Sequence, residues 1–221
     1  MVGLSQQTVE SEPTPQFNEQ CLSVIQDWEA GNLPLKDAIK SMEALYEAAH
    51  EEQHMANEAR AHHMMGYIQH YGGNLTISIR HYDKAHRLYM RVGNRKRAAT
   101  IDLNQGENYR FKGDFSRARR LYQKAYETAS DVGDIVIQAM AIGNEGLTLI
   151  TLEQYDKALD ALIQGKDLCM EWEGAAERRD SALCEFYQGL ATTYMAKNQL
   201  TDAWDMALNA LELAHKTDQP L

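Results

Sequence analysis

The stretch NQGENYRFKGDFSRARRLYQKAYETASDVGD, Asn104 to Asp134, decides the fold. Its first half carries a small residue, Gly106, with Tyr109 three positions on, and then breaks at Gly113-Asp114. After the break Phe115, Ala118, Tyr122 and Ala125 recur at spacings of three and four, the stripe that an amphipathic helix buries. Gly133-Asp134 closes the stretch. A glycine at such a point ends a helix in a left-handed conformation, and an Asp or Asn caps the next one. The stretch therefore predicts helix, turn, helix.

The same unit recurs on either side with a period of 40: Gly66, Gly106 and Gly146; Gly73, Gly113 and Glu153; Leu75, Phe115 and Tyr155. The closing pair Gly133-Asp134 has its counterpart in Gly93-Asn94. After an insertion of five residues in EWEGAAERRDS a further unit follows, with Leu190, Ala191, Tyr194, Leu200, Ala203, Ala207 and Ala210 at the equivalent places. A weaker unit precedes, with Leu35, Ala38, Met42 and Leu45 falling 40 residues before Leu75, Ser78, Tyr82 and Ala85. Ala, Leu, Glu, Lys, Arg, Gln and Met dominate, and the β-branched and aromatic alternation of strands is missing. The expected fold is all-α, about five antiparallel helical hairpins.

The pattern L/N-x-G-x-x-Y followed by G-D/N-Φ-x-x-A-x-x-x-Y-x-x-A, with Φ apolar, resembles the tetratricopeptide repeat over residues 20 to 215. The period is six residues longer than the basic unit of about 34, and the proline that usually closes the second helix is missing. Both departures resemble the long-helix subclass found in kinesin light chains and bacterial peptide receptors. Gln69, Ser78, Leu149 and Gly165 depart from the aromatic or Ala usual at their positions. The resemblance implies a right-handed α-solenoid whose first helices line a concave groove for a segment of a protein partner. By register that groove takes Arg60, His63, Tyr67 and His70; then Asn104, Glu107 and Arg110; Asn144 and Leu147; and Gln188, Thr192 and Met195. The resemblance further implies that Asn104 and Asn144 hydrogen-bond the backbone of a bound peptide, since an amide donates and accepts at once. The solenoid is expected over residues 17–216 as a single domain, between a disordered polar tail at 1–16 and a short tail at 217–221.

A net charge of -10 opposes phosphate backbones, and no stretch approaches the ~20 apolar residues of a bilayer span. Nucleic-acid and membrane partners are therefore not expected. The opening MVGLSQQTVESEPTPQ has neither the basic nor the apolar region of a secretory signal. Cys21, Cys169 and Cys184 are odd in number, far apart and form no C-x-x-C pair, which fits a cytoplasmic setting.

HEEQH, His50 to His54, matches the zinc motif H-E-x-x-H. However, Gln53 and His54 fall in register with Gly93-Asn94, so the two imidazoles are expected on opposite sides of a helix break, and no metal is expected. His62, His63 and His70 read as isolated surface or groove histidines. No nucleophile and base fall on one face and no phosphate-binding loop follows a strand, so neither catalysis nor a cofactor is expected.

Charge is uneven: residues 80–124 hold 13 basic against 4 acidic side chains, net +9, and the remainder holds 9 against 28, net -19. Arg91, Arg117, Arg119 and Arg120 fall on second helices and Arg95, Lys96 and Arg97 on a turn between repeats, a convex or edge surface suited to an acidic partner or to an acidic end of another copy. The last helix carries Trp204, Leu208 and Leu211 with no capping helix after it. The expected function is a non-enzymatic adaptor or sensor that binds a protein or peptide segment. The alternative is a scaffold that self-associates through its ends and charged faces.

Overall fold

The computed structural model describes residues 10–217, which form ten helices: α1 (Pro15–Glu29), α2 (Leu35–Glu51), α3 (Met55–Tyr71), α4 (Leu75–Arg91), α5 (Arg95–Phe111), α6 (Phe115–Val132), α7 (Ile135–Thr151), α8 (Tyr155–Met170), α9 (Ala176–Ala196) and α10 (Leu200–Thr217). No strand occurs among the described residues. The fold class is an all-α solenoid of antiparallel hairpins, each made of one odd and one even helix. Internal contacts group the chain into two compact units, one ending at Asn108 and the other beginning at Tyr109, within α5, where the sequence suggested a single domain.

Every turn except the α8–α9 link is built around one residue with positive φ. Between hairpins these are Gln53, Gly93 and Gly133, with φ of 56°, 77° and 70°. Within hairpins they are Gly31, Gly73, Gly113, Glu153 and Asn198, at 75°, 79°, 77°, 56° and 59°. The residue that follows several of them caps the next helix: His54, Asn94, Asp114 and Asp134 each accept a hydrogen bond from the backbone N–H three positions on. Helix length is therefore reset at every turn, which is why the period stays at 40.

In the first unit α3 packs against both α2 and α4, and α1 touches α2 and α3. The expected stripe is in place: Ser78, Tyr82 and Ala85 of α4 are buried, and the ring of Tyr82 lies on Gly66 of α3, where an added Cβ would come within 2.4 Å of it. Ser78 at a usual Ala position has a polar reason, since its hydroxyl donates to the Gly66 carbonyl at 2.7 Å. In the second unit Ala118, Tyr122 and Ala125 of α6 are buried in the same pattern, and Leu162 of α8 covers Gly146 of α7. Phe186 of α9 fills the space above Gly143 and Gly165, which accounts for a glycine where the repeat usually has Ala. The insertion before α9 is partly helical: α9 has 21 residues against 17 in α7, and Glu171–Ala175 make the link.

Two expectations about boundaries change. The polar segment 1–16 was read as a tail, yet α1 begins at Pro15, Thr14 caps it, and residues 10–14 bind the body of the first unit as described below. Residues 1–9 and 218–221 lie outside the described residues. Arg95, Lys96 and Arg97 form the first turn of α5 instead of a turn between repeats, because Asn94 already caps the helix.

Gln53 and Glu153 hold a left-handed backbone that costs a residue with a Cβ about 1–2 kcal/mol, partly offset by the greater chain entropy of glycine. We expect Gln53→Gly and Glu153→Gly each to stabilise the chain by about 0.5–1 kcal/mol in urea titrations followed by circular dichroism.

Candidate functional site

Four first-helix residues of the first unit were expected to face a partner, and the structure ties most of them to neighbouring helices. His63 of α3 is 7% exposed; its ring meets Tyr82 edge-on with centroids 6.0 Å apart, and Asn104 Nδ2 of α5 donates to its Nε2 at 3.0 Å. The ring proton therefore sits on Nδ1, which is buried with no hydrogen-bond partner. Burial, reinforced by the Arg60 and Arg97 charges, holds this imidazole neutral, well below its ordinary pKa. Tyr67 donates to Glu29 of α1 at 2.6 Å, and its phenol is pushed up by burial and by that carboxylate. His70 Nδ1 lies 2.7 Å from Asn108 Oδ1 and its Nε2 lies 3.8 Å from Glu107. Asn108 in turn donates to Ser78 at 2.8 Å. This chain of bonds runs Gly66 carbonyl, Ser78, Asn108, His70, and it ties α3, α4 and α5 together.

Asn108 is fully buried and has no place among the residues read from the sequence. Its signal is positional. Ile68, Asn108, Thr148 and Thr193 share one register position, all fully buried, so a polar residue there has to find a partner inside. Beside the polar chain lies an aromatic cluster: Trp28 meets Tyr67 edge-on at 6.3 Å, Tyr67 meets Tyr71 at 4.7 Å, and Tyr71 meets His70 at 4.8 Å. Tyr71 is 62% exposed and offers this cluster to solvent.

In the second unit Asn144 and Leu147 of α7 are half-buried, as is Arg110 near the end of α5, whose guanidinium lies 4.7 Å over the exposed ring of Phe111. Gln188 is half-buried and Thr192 and Met195 are exposed on α9. Arg117 pairs with Asp114 at 3.2 Å and covers Tyr109. Arg119 reaches Glu145 of α7 at 2.6 Å and, with Arg120, Gln123, Tyr126 and Gln164, lines an open cleft of about 690 Å³ among α6, α7 and α8. Arg91 is exposed in the last turn of α4, and Arg95 and Lys96 are exposed in the first turn of α5.

Arg97 differs from this solvated set. Its Nε donates to Glu12 at 2.7 Å, and its guanidinium lies 6.0 Å from the centroid of the Tyr89 ring. Asn94 Nδ2 donates to the Ser11 carbonyl at 2.8 Å and to Glu12 at 2.9 Å, Thr14 N–H donates to Asn57 Oδ1 at 2.9 Å, and His54 Nε2 lies 2.6 Å from Glu10. Burial works against the charged form of Glu12, but the hydrogen bonds from Arg97 and Asn94 outweigh it and hold the carboxyl below its usual range. Both nitrogens of His54 are thus engaged, one by Glu10 and one by the cap bond from Asn57 N–H. His50 ends α2, across a helix break from it. No group of three or more His, Cys, Asp or Glu able to hold a metal ion occurs among the described residues. The three cysteines are unpaired and buried, and burial pushes the Cys21 thiol up to about 12.

Two-helix hairpins repeating at 40 residues, with a glycine beneath Tyr82 in one and beneath Leu162 in another, define the class of helical-repeat interaction proteins. Residues 57–131 match the tetratricopeptide repeat family. That match spans about a third of the chain, and the hairpins on either side of it continue the same pattern of paired helices. No curated protein matches it. Among solved structures it is similar to the apo form of RapI, at 15% identity with a TM-score of 0.74, covering 92% of this chain and 72% of that one. It is also similar to a putative kinesin light chain with nearly identical repeats from Podosopora anserina (11% identity, TM-score 0.66, 92% and 96% covered). A third similar structure is BtubC of P. vanneervenii (15%, 0.63, 95% and 94%). At these identities the likeness shows the fold. Repeats of this family are generally non-catalytic interaction modules. No helix among the described residues is long and apolar enough to cross a membrane.

One feature of the first unit is titratable. His62 is 5% exposed, its Nδ1 lies 3.2 Å from Nδ1 of His81, and the Tyr46 ring stands 4.7 Å away. Burial, followed by the His81, Lys84 and Arg87 charges, pushes His62 down to about 3, and burial lowers His81 as well. The folded pKa lies below the unfolded value of 6.5, so the unfolded chain takes up protons first as pH falls, and stability drops progressively below pH 6.5. We expect a loss of about 2 kcal/mol from His62 between pH 7 and pH 5, read as a falling melting temperature. In His62→Phe, which keeps a ring against Tyr46, that dependence flattens.

Proposed function

We propose that the protein is a non-enzymatic adaptor or sensor that holds a segment of a protein partner on the first-helix face of its repeats. The observation that carries this reading is a set of buried donors on and beside that face that have no acceptor among the described residues: Arg60 Nε, His63 Nδ1 and the Tyr89 hydroxyl. A buried polar group without a partner costs about 1–3 kcal/mol, so such groups persist where something else completes them. Around them the face is rigid, its side chains fixed by second bonds, which lowers the entropy a partner loses on docking. Tyr67, His70, Tyr71 and Glu107 supply aromatic and polar surface in the first unit, and Arg110, Asn144 and Leu147 supply it by register in the second. The buried free thiols favour a cytoplasmic setting.

The test is native mass spectrometry of the protein purified gently from its own host. The unaltered chain is expected to carry a discrete extra mass of peptide size. In Asn104→Ala/Asn144→Ala each lost backbone hydrogen bond weakens binding about tenfold, so the mass disappears with helicity unchanged. Retention of the same mass by the double variant overturns the reading.

A second reading, a scaffold that assembles with itself, is favoured by α10. Leu200, Trp204, Leu208 and Leu211 follow one another on one face and are 64%, 66%, 46% and 36% exposed. Contiguous apolar exposure of this kind marks an interaction surface. On this reading light scattering gives an oligomer that Trp204→Glu converts to a monomer; a monomeric unaltered chain at micromolar concentration removes it.

A further inference from the structure

The non-helical segment Glu10–Thr14, with a bend at Glu12, lies across the N-terminal ends of α3 and α5, and its contacts are those of a bound peptide. Two backbone groups are read, the Ser11 carbonyl by Asn94 and the Thr14 N–H by Asn57. Two carboxylates, Glu10 and Glu12, are read by His54 and by Asn94 with Arg97. Every reader sits at the start of an odd helix: His54 and Asn94 are caps in equivalent register, and Asn57 and Arg97 stand three residues on.

The fit is incomplete in one place. Arg60, one turn further along α3, is 8% exposed, and among the described residues it makes no hydrogen bond or ion pair; its Nε is buried without a partner. It interacts electrostatically with Arg97 and with Tyr89, whose fully buried hydroxyl also has no partner, and Tyr89 in turn feels Arg97, Arg60 and Glu12. Two guanidiniums and a phenol thus share one neighbourhood with a single carboxylate, and that carboxylate bonds only the outer guanidinium. A buried cation without a counter-charge is strongly destabilising, and a guanidinium pair is suited to a carboxylate that reaches both.

We propose that the N-terminal ends of α3 and α5 form a binding site for an extended acidic segment of a partner protein, with a carboxylate seated at Arg60 and Arg97, and that Glu10–Thr14 occupies this site as an internal ligand until the partner displaces it. The inference rests on the reading of this protein as an interaction module and names the chemistry its first unit selects. The tethered segment competes at an effective concentration in the millimolar range, so it sets a threshold that weak acidic peptides do not cross. Because it leaves Arg60 without an anion, a partner that supplies one has the advantage in exchange.

The test uses the full chain and a fluorescein-labelled peptide ESEPTP, the sequence of residues 10–15. Glu10→Gln/Glu12→Gln loosens the internal segment, and this variant is expected to bind the peptide at least tenfold more tightly than the unaltered chain in fluorescence anisotropy. Adding Arg97→Met to that variant is expected to lose that gain. Arg60→Met alone is expected to melt at a higher temperature than the unaltered chain, since it removes an uncompensated buried cation, so a loss of the host-derived ligand in that variant is not a loss of fold. Equal affinity of the unaltered chain and the Glu10→Gln/Glu12→Gln variant, absence of binding to both, or indifference to Arg97→Met each overturns the proposal. If the host-derived ligand survives Arg60→Met and Arg97→Met but is lost in Asn104→Ala/Asn144→Ala, this site is wrong and the groove reading stands; survival in all of these removes both.

Discussion

The ring of Tyr82 rests on the bare backbone of Gly66, nearer than any side chain would allow, and the rest of the first unit is arranged around that approach. With α3 and α4 this close, the Ser78 hydroxyl reaches the Gly66 carbonyl, and Asn108 of the next odd helix reaches Ser78. A hairpin in a repeat protein has no core of its own; it acquires one from its neighbour. Here the neighbour is bound by polar bonds as well as by apolar packing, because the serine hydroxyl both donates and accepts. The second unit solves the same problem with Leu162 over Gly146 and Phe186 over Gly143 and Gly165, using bulk in place of hydrogen bonds. One repeat pattern therefore yields a polar seam in one unit and an apolar seam in the other.

That difference places the chemistry. The buried imidazoles and the buried Arg60 lie in the first unit, and burial holds the histidines His62, His63 and His81 neutral. A neutral imidazole is both donor and acceptor, which lets His63 take a bond from Asn104 while keeping an N–H in reserve. The positive charge that remains there is concentrated on Arg60 and Arg97, and an anion is what such a neighbourhood selects.

The fold was legible because the residues that fix helix length are rare types at fixed intervals: glycines at turns, Asn or Asp after them, Tyr and Ala on the second helix. Gln53 and Glu153 were also legible, since the period put them where a glycine belonged, and the chain adopts the left-handed turn there even so. The role of the segment 10–14 was hidden. Its composition is that of a solvated tail, and its partners lie up to 85 residues away, at a distance no local pattern encodes. Arg97 was misplaced for the same reason: within a basic run its charge looked like one of many, and only the position of Glu12 separates it from Arg95 and Lys96. Of the groove residues, register named the positions, but whether a side chain is spent on a neighbour, as Tyr67 is on Glu29, depends on facing helices whose spacing the sequence does not state.

The N-terminal segment also alters how the first unit holds together. Solenoids behave as nearly one-dimensional arrays in which each hairpin touches only the next, so the terminal one frays on its own. The bond from Arg97 to Glu12 joins the start of the first hairpin to the third, closing a loop that skips the second. The entropy of closing it grows only slowly with loop length, so a few polar bonds suffice. α1 then cannot peel away without releasing the start of α5, and the hairpin that α1 opens melts together with the helices beyond its neighbour.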